Sequence, residues 1–226
     1  MGRNAKNKAH ARRKDGNLCP HCGLLSPLKA KVCKNCDRSL ILRAEKKISL
    51  WRLGEVDQKV LIKLSQGLKD SFGVGVVIQP AFVNEKPSLR PDWDGISSNV
   101  FLNQVHRRYQ RGSFVSLGVT EENIVPDAYH NFLFGYAYMG LPAAVVSLDP
   151  LTNDDPSPKK LAARLLSIAV HEIGHTLGLD HHEYDEGIDC VMIGDEEVDC
   201  VELVDEGSVK FCSECRKVIS KRLKVS

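Results

Sequence analysis

Apolar positions recur with two different periods along this 226-residue chain, and the changes of period outline its elements. Ile48–Leu53 reads as a strand. From Asp57 to Phe72, Val60, Leu61, Leu64 and Leu68 recur at helical spacing, with Asp57 as N-cap and Gly73 as stop. "VGVVIQP" (74–80) is a β-branched run closed by proline, and it reads as a buried strand. A helix is expected over 96–110, ended by Gly112. "FVSLGVT" (114–120), "NFLFGYAYMG" (131–140) and "AAVVSLD" (143–149) read as three further strands. A loop carrying Pro150, Pro156 and Pro158 then leads into a helix from Lys159 to Leu179. Strand–helix–strand, then three strands and one long helix, is an α/β pattern. No internal repeat or low-complexity segment interrupts it.

Charge changes this picture at the N-terminus. Residues 1–47 hold 13 Lys/Arg against 3 Asp/Glu, whereas the remainder is acidic, although the whole chain is only +2. A basic head of this kind is either a solvated tail or a patch that meets polyanions. "MGRNAKNKAHARRK" is followed by no apolar segment, so the expected location is cytoplasmic, with no secretory signal. No apolar run approaches the ~18 residues of a membrane span.

Eight cysteines occur, and six of them form C-x-x-C pairs. In a reducing compartment such pairs point to metal rather than disulfides. Cys19, Cys22, Cys33 and Cys36 give C-x2-C-x10-C-x2-C, two knuckles that can present four thiolates to one tetrahedral ion. The segment is too short to bury a core, so its folding energy would come from the metal. A zinc ribbon is expected, with a rubredoxin-like iron site as the alternative. The expected division is residues 1–45 as basic tail and ribbon, and 46–226 as the larger domain.

"HEIGHTLGLDHHEYDEGIDCVM" (171–192) carries the chemistry. His171 and His175, four residues apart on a helix, share one face and can hold one ion. Glu172 lies beside them without being a ligand. Gly178 can take the left-handed conformation that turns the chain, and His181, at H-E-x-x-H-x-x-G-x-x-H, can then return to the ion. Three neutral imidazoles leave a fourth position for water, the arrangement of a catalytic zinc. Glu172 would be the general base. Met192 reads as the methionine of a turn beneath the metal. Tyr184 and Tyr136 are both candidates to assist the oxyanion.

The signature, followed by Cys-Val-Met and a last C-x-x-C, resembles the archaemetzincins, a branch of the metzincin metallopeptidases. "LGVTEENIV", "NFLFGYAYMGLPAAVVSLDPL" and "RLLSIAVHEIGHTLGLDHH" resemble that family's stretches in the same order, over about residues 48–220. The resemblance implies a metzincin-like zincin domain: a twisted mixed sheet, a backing helix, the zinc helix and the Met-turn, with 131–140 as an antiparallel edge strand over the cleft. An exposed edge of that kind can pair with an extended peptide. It also implies a structural zinc, at positions matched here by His182, Cys190, Cys212 and Cys215. His182 stands where the family has cysteine, and Cys200 is a rival fourth ligand. The expected total is three zinc ions: catalytic, structural and ribbon.

The function expected from these readings is a zinc metallopeptidase acting on peptides or proteins, with an aminopeptidase-like activity implied by the resemblance. The alternative is a weakly active, adaptor-like metzincin that the basic ribbon carries to nucleic acid or to a protein partner. The ribbon has no aromatic residues for base stacking, so a nucleic-acid contact would be non-specific.

Overall fold

The computed structural model describes residues 17–19, 24–26, 30, 32–37, 47–81, 95–109, 113–126, 132–183, 187–194 and 201–224. Residues 1–16 of the basic head, Cys22, Tyr184 and Cys200 lie outside the described residues. The chain divides into two compact units, Met1–Ile41 and Leu42–Ser226.

In the smaller unit β1 (Asn17–Leu18) pairs antiparallel with β2 (Leu25–Ser26). Cys19 N donates to Leu24 O at 2.9 Å, closing the first knuckle. At the second, Asp37 N donates to Cys33 O at 2.9 Å.

The larger unit runs β3 (Lys47–Leu53), α1 (Gln58–Phe72), β4 (Gly75–Ile78), β5 (Ile96–Ser97), α2 (Ser98–Arg107) and β6 (Ser113–Thr120). It continues with β7 (Ile124–Val125), β8 (Gly135–Ala137), β9 (Ala143–Ser147), α3 (Pro158–Thr176), α4 (Val201–Glu206) and α5 (Ser213–Lys224). The main sheet has the order β4-β3-β6-β9-β8, with β8 antiparallel and the others parallel. Alternation along each strand supplies both faces. Ile48, Leu50, Ala144 and Val146 point to the side covered by α1 and α3, where Leu61, Leu64, Leu68, Leu165, Ala169 and Ile173 meet them. Trp51, Leu53, Ala143 and Val145 point to α2, against Phe101, Leu102 and Val105. The result is a three-layer α/β/α domain.

Helix ends follow local chemistry. Asp57 caps α1 by accepting from Lys59 N at 2.8 Å, and Gly73, at φ 64°, ends it. Ser157 accepts from Lys160 N at 3.3 Å to start α3, and Pro158 fills a first-turn position that needs no donor.

Three expectations change. The run 74–80 is not buried on both faces: among the described residues β4 is the outer edge, paired only with β3, and Val77 is 43 % exposed. A parallel edge strand keeps the uniform apolar composition of its neighbours, so composition alone does not reveal the exposure. The expected strand 131–140 contracts to β8, because Leu133 N leaves the ladder to donate to Ile124 O at 2.8 Å. Ile96 and Ser97 pair with Ile124 and Val125 instead of joining α2.

Arg164, only 1 % exposed, ties α3 to its surroundings. Its Nε and Nη2 donate to Asp205 on α4 at 2.7 Å each, its Nη2 to Asp154 at 2.8 Å and its Nη1 to Leu151 O at 2.9 Å. The guanidinium beside Asp205 holds that carboxyl down to about 2. Removing the arginine leaves the Leu151 carbonyl without its donor and the two carboxylates with only the exposed Lys160. Arg164→Met is expected to cost on the order of 1–2 kcal/mol in urea unfolding, chiefly through the orphaned carbonyl. A depressed carboxyl contributes stability that is present above its unfolded pKa of ~3.9 and is lost as pH falls toward the folded value. The gap between wild type and Arg164→Met should therefore narrow on acidification from pH ~4 to ~2, and thermal melts across that range check it.

Candidate active site

The last turn of α3 and the bend after it bring three imidazoles together. α3 ends with Gly178 N donating to His175 O at 2.9 Å and Leu179 N to Gly174 O at 3.1 Å, with Gly178 at φ 85°. This pair of crossed bonds, with a left-handed glycine between them, reverses the chain and returns His181 to the helix face it has just left. The Nε2 atoms of His171 and His175 lie 2.9 Å apart, those of His171 and His181 3.1 Å, and those of His175 and His181 3.0 Å.

Hydrogen bonds on the far side of two rings fix what those nitrogens are. His171 Nδ1 lies 2.7 Å from Val191 O, and His175 Nδ1 lies 3.0 Å from Leu179 O. A carbonyl only accepts, so each Nδ1 carries the proton and each neutral ring presents a bare lone pair at Nε2. Burial lowers the pKa of His171 to about 3, helped by the charge of His175, and lowers that of His175 as well. Two lone pairs facing each other at 2.9 Å repel unless a cation lies between them. The donor set is that of zinc, which takes imidazole nitrogen at ~2.0–2.1 Å.

Glu172 is buried, and burial pushes its carboxyl up to about 8. A dication beside it would favour the carboxylate and oppose that rise. Met192 is fully buried in a turn with its Sδ packed against Gly174, where any Cβ would overlap it. Gly194 faces the triad from below: a Cβ there would meet His181 Nε2 at 3.3 Å and His171 Cε1 at 3.4 Å.

A second cluster begins one residue after the first ends. His182 Nε2 lies 3.2 Å from Cys215 Sγ and 3.4 Å from Cys212 Sγ, and Cys190 Sγ lies 3.8 Å from Cys215 Sγ. Three sulfurs and one imidazole nitrogen within 4.8 Å of one another make a Cys3His donor set. Backbone N–H groups of Met192 and Cys212 point at Cys190 Sγ at 3.5 and 3.2 Å. Cys200 lies outside the described residues, so its rival role has no geometry to weigh.

Five residues serve both clusters. Cys190 belongs to the second, Val191 O orients His171, and Met192 O accepts from His182 N at 2.9 Å. Ile193 bridges to His182, and Gly194 lies against the triad. In the smaller unit Cys19, Cys33 and Cys36 form a third group, with Cys19 and Cys36 sulfurs 3.7 Å apart.

Two residues of the cleft differ in standing from the sequence reading. In β8 Gly135 pairs with Val146 and Tyr136 with Val145. Val146 faces α3 and Val145 faces α2, so Tyr136 points to the side of the sheet away from Glu172 and is no candidate for the oxyanion. Gly135 is a cleft residue that the sequence motifs do not single out: a Cβ there would lie 2.6 Å from Glu172 Cγ and 2.7 Å from Oε1. A glycine inside a strand pattern is itself a sign of close approach, and that signal was present in the sequence.

The profile of peptidase family M54 matches residues 99–221. The archaemetzincin of Pyrococcus furiosus is 30 % identical over 184 residues, 76 % of this chain and 91 % of the relative. That of Archaeoglobus fulgidus is 40 % identical over 105 residues, 46 % of this chain and 59 % of the relative. The crystal structure of the Archaeoglobus fulgidus archaemetzincin in complex with malonate aligns with a TM-score of 0.63 at 31 % identity, over 76 % of this chain and 99 % of that one. The Methanopyrus kandleri archaemetzincin, 22 % identical with a TM-score of 0.66 over 82 % and 99 % of the two chains, shares the fold. Among the described residues no helix is long and apolar enough to cross a membrane. The profile spans more than half of the chain, and with these relatives it shows that this chain belongs to the archaemetzincins of peptidase family M54 and is a zinc metallopeptidase.

Proposed function

We propose that His171, His175 and His181 hold the catalytic zinc and that Glu172 is the general base for hydrolysis of peptide bonds in peptide or protein substrates. The observation that carries this reading is the convergence of the three Nε2 atoms, two of them fixed as bare donors by the carbonyls of Val191 and Leu179. When bound, zinc supplies Lewis acidity, which makes water acidic near neutral pH and polarises a carbonyl. The chain's own residues do the rest. The two Nδ1–H bonds hold the rings in the ligating tautomer without further adjustment. Glu172 takes the proton from the attacking water and returns it to the leaving amine. Met192, buried and packed on Gly174, backs the helical turn that carries His171 and His175.

Two further ions complete the proposal. His182, Cys190, Cys212 and Cys215 hold a structural zinc in the larger domain (residues 46–226). Cys19, Cys33 and Cys36, with Cys22, hold another in the N-terminal ribbon (residues 1–45). The aminopeptidase-like activity rests on the resemblance to the family. The reading in which residues 1–45 dock nucleic acid or a protein falls mostly on residues outside the described ones, and no observation favours it.

Glu172→Ala should keep its metal while hydrolysis of a broad peptide library falls by at least ~100-fold; equal activity of the two proteins would overturn the assigned base. Elemental analysis should find three zinc ions per chain (one per cluster) and one fewer in His182→Ala. An unchanged count in that variant would move the fourth structural ligand to Cys200. Peptides with free N-termini should be cleaved and their acetylated counterparts spared, and cleavage of both would replace the aminopeptidase activity with an endopeptidase one.

A further inference from the structure

We infer that Gly135 is a positioning residue for the reaction: it seats the Glu172 carboxylate beside the line along which a peptide backbone would run. The inference rests on the proposed role of Glu172 and concerns what holds that carboxylate in place.

Gly135 has no backbone reason to be glycine. It is absent from the positive-φ residues, and β8 pairs in regular antiparallel register with β9. Within a strand, glycine is less favourable than a residue with a side chain, so local propensity argues against it. The reason lies across the cleft. A Cβ at 135 would stand 2.6, 2.7 and 2.9 Å from Cγ, Oε1 and Cδ of Glu172. Real Cβ atoms do not approach that closely, so one partner would have to move. Everything within that distance belongs to Glu172, a side chain that can swing, and none to backbone. The strand would survive the substitution and the carboxylate would yield.

The ladder adds a second observation. Ser147 N donates to Phe134 O at 2.9 Å and Tyr138 N to Ala143 O at 3.1 Å, so the even-numbered residues of this strand spend their polar groups inward, on β9. In an antiparallel ladder the alternate residues face the other way. The N–H and C=O of Gly135 and Ala137 therefore face away from β9, on the side where, among the described residues, β8 is the last strand in the order. An extended peptide added to this edge would take its backbone hydrogen bonds from Gly135, the residue whose α-carbon lies against Glu172. Substrate registration and base placement meet at one α-carbon.

A substitution that displaces the carboxylate but keeps the backbone groups should separate these two roles. Gly135→Ala is expected to lower kcat by about 100-fold while leaving KM, zinc content and melting temperature unchanged. Shortening the base should relieve the clash: in a Glu172→Asp background, adding Gly135→Ala should cause no further loss of kcat. Full activity of Gly135→Ala, or losses that multiply in the double variant, would overturn the proposal. So would unfolding of both Gly135→Ala and the double variant, since glycine would then serve the strand itself. Glu172→Ala, assayed alongside, keeps the two readings apart. If it stays active the base assignment fails; if it is inactive while Gly135→Ala is fully active, only the role of Gly135 fails.

Discussion

Two backbone carbonyls, those of Val191 and Leu179, decide the chemistry of the histidine cluster. By accepting from Nδ1 they leave bare lone pairs at Nε2, and those lone pairs converge where a cation is needed. Each carbonyl is held by a different device. Leu179 is fixed by the crossed bonds that end α3, which require a left-handed glycine at 178. Val191 is fixed by its place between Cys190 and Met192, and its own N–H donates to Lys210 O at 2.7 Å. The side chains that would ligate are conspicuous in the sequence, whereas the groups that make them ligands are ordinary peptide units.

That contrast explains what was legible beforehand. The H-E-x-x-H-x-x-G-x-x-H spacing follows from helix geometry and one sharp turn, so the meeting of His171, His175 and His181 can be read from offsets alone. The neighbouring His182 could be matched to the second cluster only by resemblance, because nothing local says which way an extended residue points. The sheet was legible strand by strand from its apolar runs, yet its order was not, and order alone makes β4 an exposed edge. Tyr136 shows the same limit. Its composition suited an oxyanion role, but the register of β8 with β9 turns it toward α2. The short parallel pair β5–β7 and the helices α4 and α5 carry too few periodic apolar residues to stand out.

The layers also divide the labour of the domain. α1 and α3 share one face of the sheet, and the metal-binding end of α3 is backed by Phe211, which stacks edge-on against Phe72 at 5.7 Å. Farther along the same helix, Arg164 draws α4 and the preceding loop onto α3. The long helix is thus anchored by polar contacts near one end and, around its metal-binding turn, by the apolar packing of Ile173, Met192 and Phe211.

The segment Cys190–Gly194 has a consequence in the language of cooperativity. The same five residues are ordered by the Cys3His cluster and, through Val191, Met192 and Gly194, by the histidine triad. Whatever orders them for one cluster has already met the conformational cost for the other. Linkage of this kind is reciprocal, so filling either cluster would lower the cost of filling the other by the same factor in both directions.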